Sequence, residues 1–168
     1  MRPAEEYQGR EQTYLKHFFL ESYLERVAYN IGSFDSDFVY VDGFSGPWRS
    51  TNEDYNDTSF MIAIQKLRAV RDGIKKRSGG RDIKIRCLFI EKDPEAFKTL
   101  QAATAAITDF QVQALHGSFE DVVPQIVKFV GNSFSLIFID PTGWAGFALD
   151  KITPVLKLRG EVLVNFMV

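Results

Sequence analysis

The sequence predicts an α/β domain: a parallel sheet of about five strands with helices on both faces. Two observations predict it. Short, almost uninterrupted apolar runs recur, the mark of strands buried on both sides. They alternate with segments of helical spacing, which builds βαβ units, and right-handed crossovers then place helices on both faces of a parallel sheet.

The elements follow in order. Residues 13–29, TYLKHFFLESYLERVAY, place apolar side chains at 15, 18, 19, 23, 24 and 27, a helix with one apolar face. A polar turn, GSFDSD, ends it, and FVYV (38–41) is the first strand. Thr58 or Ser59 caps the next helix, which starts at Phe60 and stops at SGGRD. The second strand is 83–90. Asp93-Pro94 then opens a helix to about Ile107, because Asp caps well and Pro is tolerated at the first helical position. Residues 110–115 form the third strand, SFEDVVPQIVKFV a helix with Pro124 near its start, and 133–139 the fourth strand. ALDKITPVLKL has helical spacing interrupted by Pro154, and 160–168 is the fifth strand.

A chain of 168 residues, 45% hydrophobic and 14% aromatic, suits one domain, 1–168, with 1–12 as a polar tail. Fifteen Phe point to an aromatic core or pocket. A net charge of −2 supplies no general field toward nucleic acid or anionic lipid. Cys87 is the single cysteine and sits in an apolar run, so a buried thiol in a reducing compartment is expected. The N-terminus lacks the apolar core of a signal peptide and no run reaches membrane-spanning length, so a cytoplasmic location is expected. The apolar fifth strand ends the sequence without a polar tail, so further chain or another protein is expected along that edge.

Ligands of open α/β sheets bind beyond the carboxyl ends of the strands. Those ends read Asp42-Gly43-Phe44-Ser45-Gly46, Glu91-Lys92-Asp93, His116-Gly117-Ser118-Phe119 and Asp140-Pro141-Thr142-Gly143-Trp144. Three of the four begin with an acid. The first loop lacks the three glycines of a dinucleotide fingerprint, Glu91 stands much farther along than the ~20 residues that motif requires, and no phosphate loop is present. Acids repel phosphates but suit a cation that carries a ribose. S-adenosylmethionine is such a ligand. Asp42 would face its ammonium end, Glu91 would take both ribose hydroxyls, Gly43 and Gly46 would let the backbone of the first loop, Phe44 included, approach closely, and Phe119 would pack on the adenine with Ser118 at its edge. No His or Cys cluster supports a metal site.

Six ordered stretches, KHFFLESYL, VYVDGFSGPW, FIEKDPEAF, HGSFEDV, IFIDPTGWAG and VLVNFM, resemble the three-Cys-motif partner proteins, a bacterial and phage-associated family. The resemblance covers roughly residues 14–168. It implies a Rossmann-like class I methyltransferase core with strand order 3-2-1-4-5, S-adenosylmethionine as cofactor, and a neighbouring three-Cys protein that looks like a radical S-adenosylmethionine protein. The family loop ends in glycine where this chain has Trp48, and members continue past the fifth strand, so the resemblance also implies a chain truncated there.

Each candidate has a plainer reading. Asp42, Gly43 and Gly46 also suit a strand-to-helix turn, and Glu91 a capping or solvated acid. Lys92 and Asp93 are read as a solvated residue and a helix cap. Asp140-Pro141 matches the start of the D-P-P-[YF] sequence of amino-methyltransferases, in which the Asp and a backbone carbonyl orient a target amine. Here Asp140, Pro141 and Trp144 are the catalytic candidates, Trp144 as a stacking platform for a planar substrate or else a core tryptophan. Lys16 and His17 match the family's Lys-His; a surface or packing role is favoured. His116 is read as structural. Residues 66–86 hold nine Lys and Arg against two acids, a nucleic-acid face or simply the solvated side of a helix. Two functions follow: methyl transfer to an acceptor such as the exocyclic amine of a nucleobase, or a non-catalytic partner module of the same fold in a mobile-element context. A nuclease or nucleotide-binding domain is disfavoured by the missing phosphate loop and metal cluster.

Overall fold

The apolar runs do become one sheet. The computed structural model describes residues 11–46, 55, 58–141 and 148–165. The strands are β1 (Asp37–Asp42), β2 (Lys84–Glu91), β3 (Gln111–His116), β4 (Phe134–Ile139) and β5 (Gly160–Val164). They lie in the order β3-β2-β1-β4-β5, and every pairing is parallel. This is a Rossmann-like doubly wound topology, in the expected strand order 3-2-1-4-5. The helices are α1 (Glu11–Phe34), α2 (Ser59–Arg77), α3 (Pro94–Ala105), α4 (Val123–Val130) and α5 (Leu149–Leu156). No helix among the described residues is long and apolar enough to cross a membrane.

Side-chain alternation divides the core in two. Phe38 and Tyr40 of β1, Cys87 and Phe89 of β2, and Leu136 and Phe138 of β4 face Leu20 and Leu24 of α1, Phe60, Ile64 and Leu67 of α2, and Leu100 of α3. Val39, Val41, Leu88, Ile90, Ile137 and Ile139 face Ile126 and Val130 of α4 and Ile152 and Val155 of α5. The abundance of Phe is spent largely on the first face. Phe89 meets Tyr40 and Phe60 edge-on, with ring centroids 6.1 and 5.8 Å apart, and such pairs add about 1 kcal/mol each beyond their buried area. Burial pushes the Cys87 thiol up, so it stays protonated within this core.

Element ends differ from expectation for local reasons. α1 continues to Phe34 through Gly32, because a Cβ at Gly32 would lie 2.4 Å from Ile74 Cδ1: the glycine lets α1 close on α2 and does not end the helix. Asp93 caps α3 as expected, accepting from the amides of Glu95 and Ala96 at 3.1 and 2.8 Å. Thr58 occupies the cap position of α2, but its hydroxyl donates to the Tyr55 carbonyl and not to the helix. α4 starts at Val123, later than the expected 118, since Ser118 and Asp121 make a turn of their own. β5 is bonded to β4 alone among the described residues, at the sheet's outer edge.

Much of the basic stretch at 66–86 has intramolecular work. Arg68 grips Asp109 with two hydrogen bonds of 2.9 and 2.8 Å, and Arg71 reaches the same residue. These guanidiniums, Arg68 foremost, lower the Asp109 carboxyl to about 2. Lys66 pairs with Glu25 at 3.0 Å, Arg77 lies over Tyr29, and Arg81 donates to the Gly32 carbonyl. Arg86 donates to the carbonyls of Phe129 and Val130 at the end of α4 and to Asp37 at the start of β1. The stretch ties α2 and β2 to their neighbours, where its plainer reading expected only a solvated helix face.

Candidate functional site

Parity and register decide where the acids meet. Asp42 is opposite Phe89 on one side and Phe138 on the other. Glu91 and Asp140 stand two residues beyond those partners, so both continue the alternation of the Asp42 face. Asp42, Glu91 and Asp140 therefore gather at the carboxyl ends of β1, β2 and β4 on the side covered by α1 and α2.

Asp42 is fully buried (0% exposed). Its Oδ1 accepts the Phe44 amide at 3.0 Å and its Oδ2 accepts the Ser59 hydroxyl at 3.0 Å. The carboxylate thus ties the β1 loop to the first residue of α2. Ser45 continues the lacing: its hydroxyl donates to the Asp42 carbonyl at 2.8 Å and its amide to the Ile90 carbonyl at 2.9 Å. The loop is held to β2 by backbone and side chain together.

Gly43 has no room for a side chain. A Cβ there would lie 2.6 Å from Phe119 Cδ2 and 3.3 Å from the Phe138 carbonyl oxygen, to which its own amide donates at 2.8 Å. Phe119 is buried against this glycine and stacked on Phe44, with centroids 6.4 Å apart and an 18° interplanar angle. It belongs to the core on the α4/α5 face. Gly46 is buried beside this loop. Ser118 spends its hydroxyl on the Asp121 carboxylate at 2.6 Å.

Glu91 is nearly buried, at 3% exposure. Its Oε1 accepts the Asp93 amide at 2.7 Å, and its Oε2 takes no hydrogen bond from the described residues. One oxygen thus fixes the carboxylate to the turn that starts α3. His116, opposite Glu91 in β3, stacks on Phe97 at 5.0 Å and bonds the Lys92 carbonyl, in keeping with a structural role. His17 is buried at 6% exposure, which fits packing and not a surface pair.

Asp140 is half-buried and its Oδ1 accepts Asn165 Nδ2 at 2.7 Å. Pro141 is buried. Trp144 and Trp48 lie outside the described residues.

Two residues of this end of the sheet escaped the sequence reading. Asn165 is the first polar residue after the β5 run, the same signal that singled out Asp42, Glu91 and Asp140, but it was absorbed into a strand expected to reach 168. Tyr40 looked like one more strand residue. Its hydroxyl is buried without a hydrogen-bond partner among the described residues. Burial pushes the phenol well above its ordinary value, and the charges of Asp42, Cys87 and Asp140 push the same way. An orphaned buried hydroxyl costs stability that a phenyl ring of the same shape does not. Tyr40→Phe is therefore expected to raise the urea midpoint by the equivalent of about 1 kcal/mol. A lowered midpoint would show that the hydroxyl has a partner.

No family model and no curated protein sequence matches the chain. Among solved structures, one described as loganic acid methyltransferase with SAH is similar at 16% identity and a TM-score of 0.46; the match covers 83% of this chain and 38% of that one. The chain thus spans well under half the length of that protein.

Proposed function

We propose that the chain binds S-adenosylmethionine at the carboxyl ends of β1, β2 and β4 and transfers its methyl group to an amine, with the exocyclic amine of a nucleobase as the favoured class. The observation that carries this reading is the gathering of Asp42, Glu91 and Asp140 on one face above a β1 loop held tight at Gly43. The donor set fits the ligand: Glu91 is anchored through Oε1, its Oε2 takes no hydrogen bond from the described residues, and a carboxylate accepts well from a ribose diol. Asp42 would lend negative charge to the cationic end through the loop it organises. Phe44, stacked on Phe119, would carry the adenine side, with Gly46 and Ser118 at the borders.

When bound, S-adenosylmethionine supplies the methyl group: the amine lone pair takes the methyl carbon, the C–S bond breaks with its electrons going to sulfur, and S-adenosylhomocysteine leaves. The chain's part is positioning, the larger share of the rate in such an in-line displacement. Asp140 accepts a hydrogen bond from the amine and aims its lone pair. The proton shed by the product nitrogen passes to that carboxylate or to water.

The resemblance to the three-Cys-motif partner family rests on the six ordered stretches alone, and with it the proposal of a bacterial, phage-associated context and a three-Cys partner protein. The non-catalytic partner reading is favoured by the incomplete D-P-P-Y sequence. Calorimetric titration with S-adenosylmethionine and S-adenosylhomocysteine separates the two. Saturable binding is expected, and Glu91→Ala is expected to weaken it by about 100-fold, the cost of losing a charge-assisted pair of hydrogen bonds. A folded chain that binds neither ligand sinks the methyltransferase reading and leaves the partner module ahead.

A further inference from the structure

We propose that Asn165 is the positioning residue for Asp140 and the second recognition group for the methyl-accepting amine, an inference that rests on the methyltransferase reading. Asn165 follows β5, and its amide donates to the Ile139 carbonyl at 2.9 Å, directly before Asp140. The backbone that carries the side chain is thereby fixed to the strand that delivers the carboxylate. Its parity matches that of Leu163, which faces the α1/α2 side, so Asn165 joins Asp42, Glu91 and Asp140 on one face at the ends of four adjacent strands.

The hydrogen bond from Nδ2 to Asp140 Oδ1, 2.7 Å long, also settles which way the amide points. A carboxylate oxygen only accepts, so the NH₂ end must face Asp140 and the carbonyl oxygen must face away from it. That oxygen takes no hydrogen bond from the described residues. Asp140, held by Asn165, and the Asn165 carbonyl then form a pair of acceptors. An NH₂ group has two hydrogens, and directing one to each acceptor leaves the nitrogen lone pair pointing away from both. A hydroxyl acceptor, with a single hydrogen, would leave one of the two unmatched. The pair therefore selects amines over alcohols.

Sinefungin tests this without knowledge of the natural acceptor. In it a carbon bearing an amine replaces the methylsulfonium, so an ammonium sits where the methyl and the incoming amine meet. Wild-type chain is expected to bind sinefungin about tenfold more tightly than S-adenosylhomocysteine, as a charge-assisted hydrogen bond provides. Asn165→Ala and Asp140→Asn should each abolish that preference and leave S-adenosylhomocysteine affinity unchanged. The double variant should lose no more than either single one, because both acceptors are needed together and each substitution alone already removes the preference. Unchanged S-adenosylhomocysteine binding also certifies that each variant is folded. A preference that survives Asn165→Ala, or is missing from the wild type, overturns the role of Asn165. Absence of S-adenosylhomocysteine binding by the wild type overturns the methyltransferase reading instead.

Discussion

Asp42→Ala is expected to lower stability by about 3 kcal/mol, and Asp42→Asn by less than about 1 kcal/mol. The carboxylate is fully buried and accepts from the Phe44 amide and the Ser59 hydroxyl. Alanine strands both donors in the interior, where each unsatisfied group costs roughly 1–3 kcal/mol. Asparagine keeps the shape. Its carbonyl still accepts from Phe44, and the Ser59 hydroxyl can turn to accept from the new NH₂. Urea denaturation of the two variants measures the difference. The asparagine variant then isolates the charge. S-adenosylmethionine affinity about tenfold lower in a stable Asp42→Asn protein makes the charge part of the cofactor site; unaltered affinity makes Asp42 a turn residue only.

That experiment is needed because residue type and position suggested one role for Asp42 and burial adds another. A carboxylate after an apolar strand reads the same in sequence whether it faces a ligand or a serine seventeen residues away. Ser59 was legible only as a possible cap for α2; it is instead a donor to Asp42 from inside the helix. A glycine at 43 suits close approach of the backbone to a ligand, but what approaches it in the fold is the Phe119 ring. Phe119 was expected on the adenine and lies in the core, with Phe44 on its outer side. These are tertiary facts, and no spacing rule contains them.

The sheet was far more legible. VYV, CLFI and LIFI are continuous because parallel strands covered on both faces leave few positions for a polar side chain. Alternation with helices then leaves few topologies. The strand order came from the motif resemblance, and the β3-β2-β1-β4-β5 pairing matches it. Helix ends were harder, since the deciding contacts are distant: Ile74 and Ile83 around Gly32, and the hydroxyl of Ser118 on Asp121. Asn165 was missed for a related reason. An apolar run that resumes after a polar residue looks like one strand, whereas β5 spans Gly160–Val164, the Asn165 amide adds one bond to the Ile139 carbonyl, and 166–168 lie outside the described residues.

The largest loss is expected for Gly160→Ala, about 4 kcal/mol or more of a total that is ordinarily 5–15 kcal/mol. Gly160 opens β5 opposite Ser135 of β4 with φ +152°, and a Cβ there would lie 1.9 Å from the Ser135 carbonyl oxygen. The obstacle is backbone, so no rotamer change relieves it. β5 has to move off β4, at the cost of the Ser135 amide bond to the Arg159 carbonyl, 2.9 Å long, that starts this pairing. Gly79→Ala is the control. Its φ of +68° lies in the left-handed region, which an L-residue enters at a cost of about 1 kcal/mol, and nothing lies within 4 Å of the added Cβ, so the loss there should be no more than that. Equal midpoints for the two variants would remove the steric argument. The loss should also reach the site, because β5 carries Asn165 to Asp140. In whatever fraction of Gly160→Ala folds, hydrogen exchange should be fastest at the β5 amides, and the preference for sinefungin should fall toward that of Asn165→Ala. A folded Gly160→Ala protein that keeps the full preference would mean that Asn165 holds Asp140 without help from the strand that delivers it.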